Sequence, residues 1–462
     1  MPEQTIKAIQ KWLDEHQAEL LENYQKLLQI PSVESEAAPN APFGQANREA
    51  LDMALGLGKK WGMEVTDLEG FCGYAEYGSG EKMIGIFGHL DVVPVGPGWK
   101  YDPFSATIDN GYVYARGAID DKGPTIAAFY AARAIKEVVG DPGARIRTVF
   151  GCDEESGFEC IHRYTKTEEA PTYGIAPDAG WPLIHAEKGI AGLVTDVKFI
   201  TGGITIKSLT GGQRSNIVID HAVGELVVLD AARPEIEEKL AKNWDANLTY
   251  AWNGNILTVD AKGKAAHGAW PFGGDNAATR VLRFWMEIAP ADQKTQFEQL
   301  FEMAHVAGDG LGIHGSDDLT DLTANLGVAE TTADSLRFTY SVRYPVTWKG
   351  ENVRAMCEKH LAGLEITASV YSFTDSKPLY FPLEHPLVKT VVDAYEAETG
   401  LKKTPGVMGG GTYARAVPNT VAIGTGWDGD GEAHQTDERC KIEHIFKMSK
   451  IYARILYKLT QA

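Results

Sequence analysis

Residues 83–91 read MIGIFGHLD, an apolar run of five residues that leads into a histidine and an aspartate. Two later runs repeat the pattern: IRTVF at 146–150 leads into CDEESG, and YGIA at 173–176 leads into PDAG. Continuous apolar runs of this length are typical of strands buried on both faces. Between the first two runs, Gly123-Pro124 opens a helical stretch. Strand, helix and strand in this order predict a mostly parallel α/β sheet flanked by helices.

Polar side chains follow each predicted strand at the point where it ends. In open parallel sheets, ligands bind just outside the carboxyl ends of the strands. We therefore expect His89, the pair Glu154-Glu155, and Asp178 to lie close together, joined by Asp120 from the loop GAIDDKG. Carboxylates that converge in this way repel one another unless a cation neutralises them. Histidine and carboxylate without a thiolate suit zinc or manganese in an open, dinuclear site.

Two short spacings indicate further roles within this site. Asp91 follows His89 by two residues, which lets its carboxylate sit behind the imidazole and fix its tautomer. Glu154 and Glu155 are adjacent. One of them can bind metal while its neighbour acts as a general base on bound water.

The sequence pattern changes between about residue 186 and about residue 381. Apolar residues there alternate with polar ones, as from Leu336 to Val342, which is typical of sheets buried on one face. Asn253-Gly254 predicts a hairpin in this region. We therefore expect a discontinuous sheet domain, 1–186 with 382–462. Into it an α+β domain, 187–381, is inserted, long enough for two sheet-and-helix layers.

Composition and charge exclude several classes of partner. The 462 residues carry a formal net charge of -19, which repels the phosphates of nucleic acids and anionic lipid surfaces. Five cysteines without a CxxC pair indicate a reducing compartment. No apolar stretch reaches the roughly 18 residues of a membrane span, and the first residues lack the pattern of a secretory signal. We expect a cytoplasmic protein that binds neither nucleic acid nor membrane.

Five strings occur in order along the chain: GHLDVVP, GAIDDKG, DEESG, PDAG and EAHQTDE. In order and spacing they resemble the dinuclear-zinc aminoacylase, carboxypeptidase and dipeptidase family over nearly the whole chain. His267 in AAHGAWP, Arg343 in SVRYP and the glycine loop at 409–412 are most similar to bacterial PepV-type dipeptidases. The resemblance implies a zinc-peptidase-like catalytic domain with an inserted lid domain.

The resemblance also implies a complete set of metal ligands. It implies that one ion is held by His89 and Asp178, that the other is held by Glu155 and His434, and that Asp120 bridges both. Glu154 would be the general base on a metal-bridging water, and Asp91 would orient His89. The family often reads His-x-x-Asn-Glu around the last ligand, whereas this chain reads His434-Gln435-Thr436-Asp437-Glu438. Contacts behind that ligand are therefore expected to differ.

Further residues are implied to face the substrate. His267, from the inserted domain, would stabilise the oxyanion of the tetrahedral intermediate. Asn216 and Arg343 would contact substrate, with Arg343 suited to a carboxylate because its guanidinium binds carboxylates bidentately. The backbone of the glycine loop would add donors at Gly410, Gly411 and Thr412.

The function implied is that of a metal-dependent dipeptidase acting on unblocked dipeptides. Two divalent ions are expected, zinc first, with manganese or cobalt as alternatives. The long inserted region favours a monomer that completes its own site. An N-acyl amino acid amidohydrolase would use the same dinuclear site, and a catalytically silent metal-binding relative is a third reading. The presence of Glu154 argues against the silent relative, which has no need of a base.

Overall fold

The structure is a computed structural model that describes residues 2–240 and 245–462. Its residues group into two compact units. Unit 1 comprises Met1–His185, Phe381–Gly406 and Gly411–Ala462. Unit 2 comprises Ala186–Tyr380 and Val407–Gly410. Among the described residues, no helix is long and apolar enough to cross a membrane.

The elements of the described residues are numbered in chain order. The helices are α1 (Pro2–Glu15), α2 (Gln17–Leu28), α3 (Gln45–Lys60), α4 (Lys122–Val139), α5 (Glu159–Thr167), α6 (Arg233–Leu240), α7 (Ala277–Ile288), α8 (Lys294–Glu302), α9 (Gly350–Leu361), α10 (Pro386–Thr399), α11 (Tyr413–Ala416) and α12 (Ile442–Gln461). The strands are β1 (Glu64–Leu68), β2 (Cys72–Tyr77), β3 (Met83–His89), β4 (Thr107–Asp109), β5 (Tyr112–Tyr114), β6 (Arg145–Gly151), β7 (Tyr173–Ala179), β8 (Leu183–Glu187), β9 (Gly189–Lys198), β10 (Ile204–Gly211), β11 (His221–Val228), β12 (Leu248–Asn253), β13 (Ile256–Lys262), β14 (Thr323–Thr331), β15 (Ser335–Tyr344), β16 (Ala368–Ser376), β17 (Leu379–Tyr380), β18 (Gly406–Met408), β19 (Thr420–Gly424) and β20 (Arg439–Lys441).

The apolar runs of the sequence form the centre of the main sheet in unit 1. Strands β6, β3, β7 and β19 lie side by side in that order and run parallel. Antiparallel strands flank them, β2 and β1 on one side and β8 on the other. Every residue of β3 is buried, as expected for a strand covered on both faces. The prediction of parallel strands is confirmed for β3, β6 and β7, which lead into the polar motifs. The sheet as a whole is mixed, because its flanking strands are antiparallel.

Helix α4 lies against this sheet and between other helices. It contacts β3, β6 and β7 as well as α1, α2 and α12. This explains why it is apolar around most of its circumference, since a helix enclosed in this way has little exposed face. As predicted, the helix begins beside Gly123-Pro124, with Pro124 in its first turn, where no backbone donor is lost.

A second, three-stranded sheet of unit 1 has the order β20-β5-β4. Strands β5 and β20 are antiparallel, with Tyr114 opposite Arg439. The residues that follow β5 therefore start beside the residues that precede β20. This pairing joins two parts of the chain that are distant in sequence.

Unit 2 contains one eight-stranded sheet, in the order β12-β13-β11-β10-β14-β15-β9-β16. Helix α7 packs on β10, β11 and β13, and helix α9 packs on β16. The two predicted sheet-and-helix layers thus appear as two four-stranded halves, which meet edge to edge between β10 and β14 at the pair Gly211 and Ala329. The predicted hairpin is formed by β12 and β13, with Asn253 opposite Ile256.

The core of unit 2 yields a stability prediction. Trp285 on α7 is fully buried, and its ring lies over Gly224, where a Cβ would come within 2.5 Å of it. We expect Trp285→Ala to lower the free energy of unfolding by about 3–5 kcal/mol, because it leaves a large cavity. Trp270→Ala is the control, since Trp270 is 68% exposed; it should change that free energy by less than about 0.5 kcal/mol. Urea unfolding measures the free energy of unfolding of both variants. An equal loss of that free energy in the two variants would contradict the tight packing of Trp285.

Candidate metal centre

The polar residues after the central strands converge at one edge of the unit 1 sheet. His89 ends β3, Asp178 lies near the end of β7, and the pair Glu154-Glu155 follows β6. Asp120 precedes α4, and His434 lies between β19 and β20. Parallel strands end at the same edge of a sheet, so these residues meet there, as the sequence predicts.

His89 presents one ring nitrogen to the carboxylates and the other to the protein backbone. Its Nε2 is 3.1 Å from Oδ1 of Asp120 and 3.9 Å from Oδ2 of Asp178. Its Nδ1 is 3.0 Å from the main-chain oxygen of Asp91. A proton on Nδ1 donated to that oxygen would leave the Nε2 lone pair for a metal, the arrangement usual for ligating histidines.

Asp120 lies between the two histidines. Its Oδ2 is 3.0 Å from Nε2 of His434, and that nitrogen is also 2.9 Å from Oε1 of Glu155. The two oxygens of Asp120 therefore point to different groups: Oδ1 to His89 and Oδ2 to His434. A carboxylate placed in this way suits a bridge between two cations.

Donor atoms cluster tightly enough for metal binding in two overlapping groups. The ligand atoms of His89, Glu154 and Asp178 all lie within 4.8 Å of one another, and so do those of His89, Asp120 and Glu155. All five predicted metal ligands are thus brought together. A carboxylate oxygen of Glu154, which is predicted as the base, thus lies within 4.8 Å of the ligand atoms of His89 and Asp178.

Asp91 has a further contact that the sequence does not reveal. Its Oδ2 accepts hydrogen bonds from the backbone N–H groups of Glu154 at 2.9 Å and Glu155 at 3.0 Å. Its Oδ1 is 3.5 Å from Nδ1 of His89, farther than its own main-chain oxygen. The carboxylate therefore holds the turn that carries both glutamates, and the nearer contact with His89 is made by the main chain of Asp91.

The electrostatics of the cluster fit a bound cation. Burial raises the pKa of Asp178 and of Glu154 well above their ordinary values, and Asp120 raises both further. Oε1 of Glu154 is buried without a hydrogen-bond partner within the described part of the chain. Buried carboxylate oxygens are normally hydrogen-bonded or neutralised. Two divalent ions held by these side chains would meet both requirements.

In the protein without metal, the neighbouring carboxylates favour the protonated form of both histidines. Burial alone would lower the pKa of His89, but the nearby carboxylates of Asp120 and Asp91 raise it well above its ordinary value. Burial would raise the pKa of Asp120, yet His434 and His89 lower it well below the usual range. The two histidines therefore favour the ionised form of Asp120 in the metal-free protein.

Two residues that sequence reasoning missed support His89. Oδ2 of Asp121 accepts hydrogen bonds from the backbone N–H of His89 at 3.2 Å and from the hydroxyl of Thr125 at 2.7 Å. The ring of Tyr413 meets the imidazole edge-on, with centroids 6.3 Å apart. Gly88 leaves room for Thr125 and Asp121 beside His89, because a Cβ there would lie 2.0 Å from Oγ1 of Thr125. The adjacency of Asp121 to Asp120 was the available signal, whereas nothing in the sequence pointed to Tyr413.

Several predicted substrate residues lie in unit 2 and are neighbours there. The N–H of Gly268 donates to the main-chain oxygen of Asn216 at 2.6 Å, so His267 lies beside the Asn216 segment. Asn216 and Arg343 line one concavity of about 460 Å³. Arg343 is buried, and its Nη1 donates to the main-chain oxygen of Gly409 at 3.1 Å, next to Gly410.

The glycine loop is divided between the units. Gly410 belongs to unit 2, whereas Gly411 and Thr412 belong to unit 1. Oγ1 of Thr412 accepts a hydrogen bond from the N–H of Ala414 at 3.1 Å and thereby caps α11. The side chain of Thr412 thus has a structural role that its place in a glycine-rich string does not indicate.

Comparison with known proteins agrees with the motifs. A sequence model described as "Peptidase family M20/M25/M40" matches residues 85–458. The Bacillus subtilis (strain 168) protein named "Putative dipeptidase YtjP" is 36% identical over 461 residues, covering 96% of this chain and 97% of that protein. The Staphylococcus epidermidis protein named "Putative dipeptidase" is 34% identical over 466 residues, covering 96% of this chain and 98% of that protein.

Solved structures share the fold at low sequence identity. The di-peptidase Dug1p from Saccharomyces cerevisiae has a TM-score of 0.57 at 15% identity, with 99% of each chain covered. The aminopeptidase PepT from Bacillus cereus ATCC 10987 has a TM-score of 0.57 at 18% identity, covering 96% of this chain and 98% of that one.

The protonated cluster predicts how the stability of the metal-free protein depends on pH. Hydrogen bonds to Asp120 and Glu155 raise the pKa of His434 from 6.5 to about 10. Because folded His434 binds its proton more tightly, its stabilising contribution is complete below pH 6.5 and is lost as the pH rises through about 10. The melting temperature of the metal-free wild type should therefore exceed that of metal-free His434→Ala most at neutral pH and below. Differential scanning fluorimetry across this window tests it, and an advantage that grows with pH would contradict it.

Proposed function

The chain belongs to peptidase family M20/M25/M40, and on that basis we propose that it is a dipeptidase that cleaves unblocked dipeptides with two divalent metal ions. The observation that carries the proposal is the placement of Asp120 between His89 and His434, next to the unpartnered Oε1 of Glu154. The printed names of the relatives support a dipeptide substrate. The imidazole and carboxylate ligands support zinc first, with manganese or cobalt as alternatives.

The proposed ligands divide between two ions. His89 and Asp178 would hold one ion, Glu155 and His434 the other, and Asp120 would contribute one oxygen to each. Two divalent ions in such a site polarise a substrate carbonyl and lower the pKa of a bound water molecule. The distances from Asp120 to both histidines support this division.

Glu154 is the proposed general base. Its carboxylate would accept a proton from water as the new C–O bond forms at the substrate carbonyl carbon. It would then give that proton to the amine nitrogen as the C–N bond breaks. Its buried, unpartnered Oε1 supports this role, and burial, which raises its pKa, makes it a better proton acceptor at neutral pH.

The resemblance to the aminoacylase, carboxypeptidase and dipeptidase family implies roles in substrate binding and catalysis for three residues of unit 2. His267 would stabilise the oxyanion of the tetrahedral intermediate. Arg343 would bind the substrate carboxylate together with Asn216, and main-chain donors of Gly410, Gly411 and Thr412 would assist. The common concavity of Asn216 and Arg343 supports their joint role.

Substrate selectivity tests the proposed function. The metal-stripped protein, reloaded with zinc or manganese, is offered Ala-Leu, N-acetyl-Leu and Ala-Leu-Ala, and release of free leucine or alanine is measured. We expect metal-dependent cleavage of the free dipeptide only. Cleavage confined to the acetylated compound would reassign the protein to the N-acyl amino acid amidohydrolases, and no cleavage of any compound would favour a silent metal-binding relative.

Paired variants separate base from ligand among the adjacent glutamates. We expect Glu154→Gln to lower kcat by about 10²–10⁴-fold, the usual contribution of a general base, while the protein still binds two ions. Glu155→Gln, the matched control, should lose one ion. Metal content by atomic emission and steady-state kinetics measure the two effects. Loss of an ion from Glu154→Gln would show that Glu154 is a ligand, in keeping with its distance from His89 and Asp178.

A further inference from the structure

The strand pair β5 and β20 brings two ligand-bearing segments together. Tyr114 at the end of β5 lies opposite Arg439 at the start of β20. The ladder continues by one hydrogen bond, from the N–H of Ala115 to the main-chain oxygen of Glu438, at 3.1 Å. One chain segment then runs through Arg116 to Asp120, and the other runs back from Glu438 to His434. These two segments carry the carboxylate and the imidazole that face each other at 3.0 Å.

The carboxylate of Glu438 is fixed to the backbone of the Asp120 segment. Its Oε1 accepts hydrogen bonds from the N–H groups of Ile119 at 2.9 Å and Asp120 at 3.3 Å. Its Oε2 accepts from Nη1 of Arg116 at 2.7 Å. Glu438 is fully buried, so these contacts are not shared with solvent. Glu438 therefore determines where the backbone of Asp120 lies.

Arg116 extends the same network to two other segments. Its Nη1 also donates to the main-chain oxygen of Gln435 at 3.2 Å, directly after His434. Its Nη2 donates to the main-chain oxygen of Pro94 at 3.4 Å, in the segment that follows Asp91. Its guanidinium lies 5.2 Å from the ring centre of Trp99. The arginine is 1% exposed and so contacts three parts of the site from within the protein.

The ion pair of Glu438 and Arg116 is not needed merely to fill the space that the two side chains occupy. An apolar pair of similar volume would avoid the cost of desolvating two charges. It would, however, leave the N–H groups of Ile119 and Asp120 and the main-chain oxygen of Gln435 without these partners. The planar guanidinium fork, by contrast, donates several hydrogen bonds in fixed directions. The pair is thus suited to hold several backbone groups in one arrangement.

We propose that Glu438 and Arg116 are positioning residues that hold Asp120 and His434 at the separation at which both can bind the same ion. Neither residue is a proposed ligand: Glu438 acts through the backbone N–H of Asp120, and Arg116 acts through Glu438 and the main-chain oxygen of Gln435, next to His434. The inference rests on the metal site of the proposed function and adds to it the pair that sets its geometry.

Metal affinity of the purified full chain tests the proposal. Metal-stripped wild type and Glu438→Gln are titrated with Zn²⁺ by calorimetry and with Co²⁺ by visible absorption, which reports ligand geometry. We expect Glu438→Gln to bind about 10–100-fold more weakly, the usual effect of removing a partner behind a ligand, with an altered Co²⁺ spectrum. The glutamine side chain keeps the shape of Glu438, but only its oxygen can accept a hydrogen bond. It therefore cannot accept both from the N–H groups of Ile119 and Asp120 and from Arg116 as the two carboxylate oxygens do.

The matched control is Glu76→Gln. Glu76 also pairs with a buried arginine of unit 1, since its Oε2 accepts from Nε of Arg147 at 2.6 Å, but it bonds no predicted ligand. It should lower the melting temperature without changing Zn²⁺ affinity or the Co²⁺ spectrum. If Glu438→Gln is not recovered folded, Arg116→Lys carries the same test, because one ammonium cannot reach Glu438, Gln435 and Pro94 together.

The outcomes separate this inference from the proposed function. A wild type that binds no metal would overturn the proposed metal site and this inference with it. A wild type that binds two ions, beside a Glu438→Gln variant of equal affinity and equal Co²⁺ spectrum, would overturn the inference alone. Weakened binding in Glu76→Gln to the same degree would also overturn it, since the effect would then follow from stability and not from position.

Discussion

Repulsion among buried carboxylates is the constraint on which this site depends. Asp120, Glu154, Glu155 and Asp178 meet in a small, largely buried volume. Such groups remain ionised together only beside compensating positive charge. Without metal, hydrogen bonds to Asp120 and Glu155 raise the pKa of His434 to about 10, so its protonated ring supplies part of that charge. The fold must therefore bring these groups together and keep them there against their own repulsion.

The protein meets this requirement with a second set of carboxylates, which accept hydrogen bonds from the backbone of the cluster residues. Three of the proposed ligand residues each donate their own N–H group to an acidic side chain: His89 to Asp121, Glu155 to Asp91, and Asp120 to Glu438. Hydrogen bonds from a backbone N–H to a carboxylate are stronger than those between neutral groups. Each of these residues is thus held at its main chain, which leaves its side chain free to face the cluster.

Local sequence pattern predicts that the proposed ligand residues lie together, but it does not reveal the residues that hold their backbones. Apolar runs identify buried parallel strands, and the ends of such strands locate polar residues at one edge, so His89 and Asp178 follow from local pattern. Glu438 acts through the pairing of β5 with β20, which joins residues more than three hundred positions apart in the chain. Local periodicity carries no information on such pairing. The same limit applies to unit 2, where local pattern indicates two layers but not that they share one edge at Gly211 and Ala329.

Charge balance favours two ions over one in this cluster. The four carboxylates carry four negative charges when ionised, and two divalent cations supply four positive charges while both histidines stay neutral. One cation would leave two charges uncompensated among groups whose burial already raises the pKa of Glu154 and Asp178. Burial and the charge of Asp120 raise the pKa of Glu438 to about 7, and the ion pair with Arg116 opposes that rise. Arg116 therefore compensates part of the charge of the acidic residue that holds Asp120 in place.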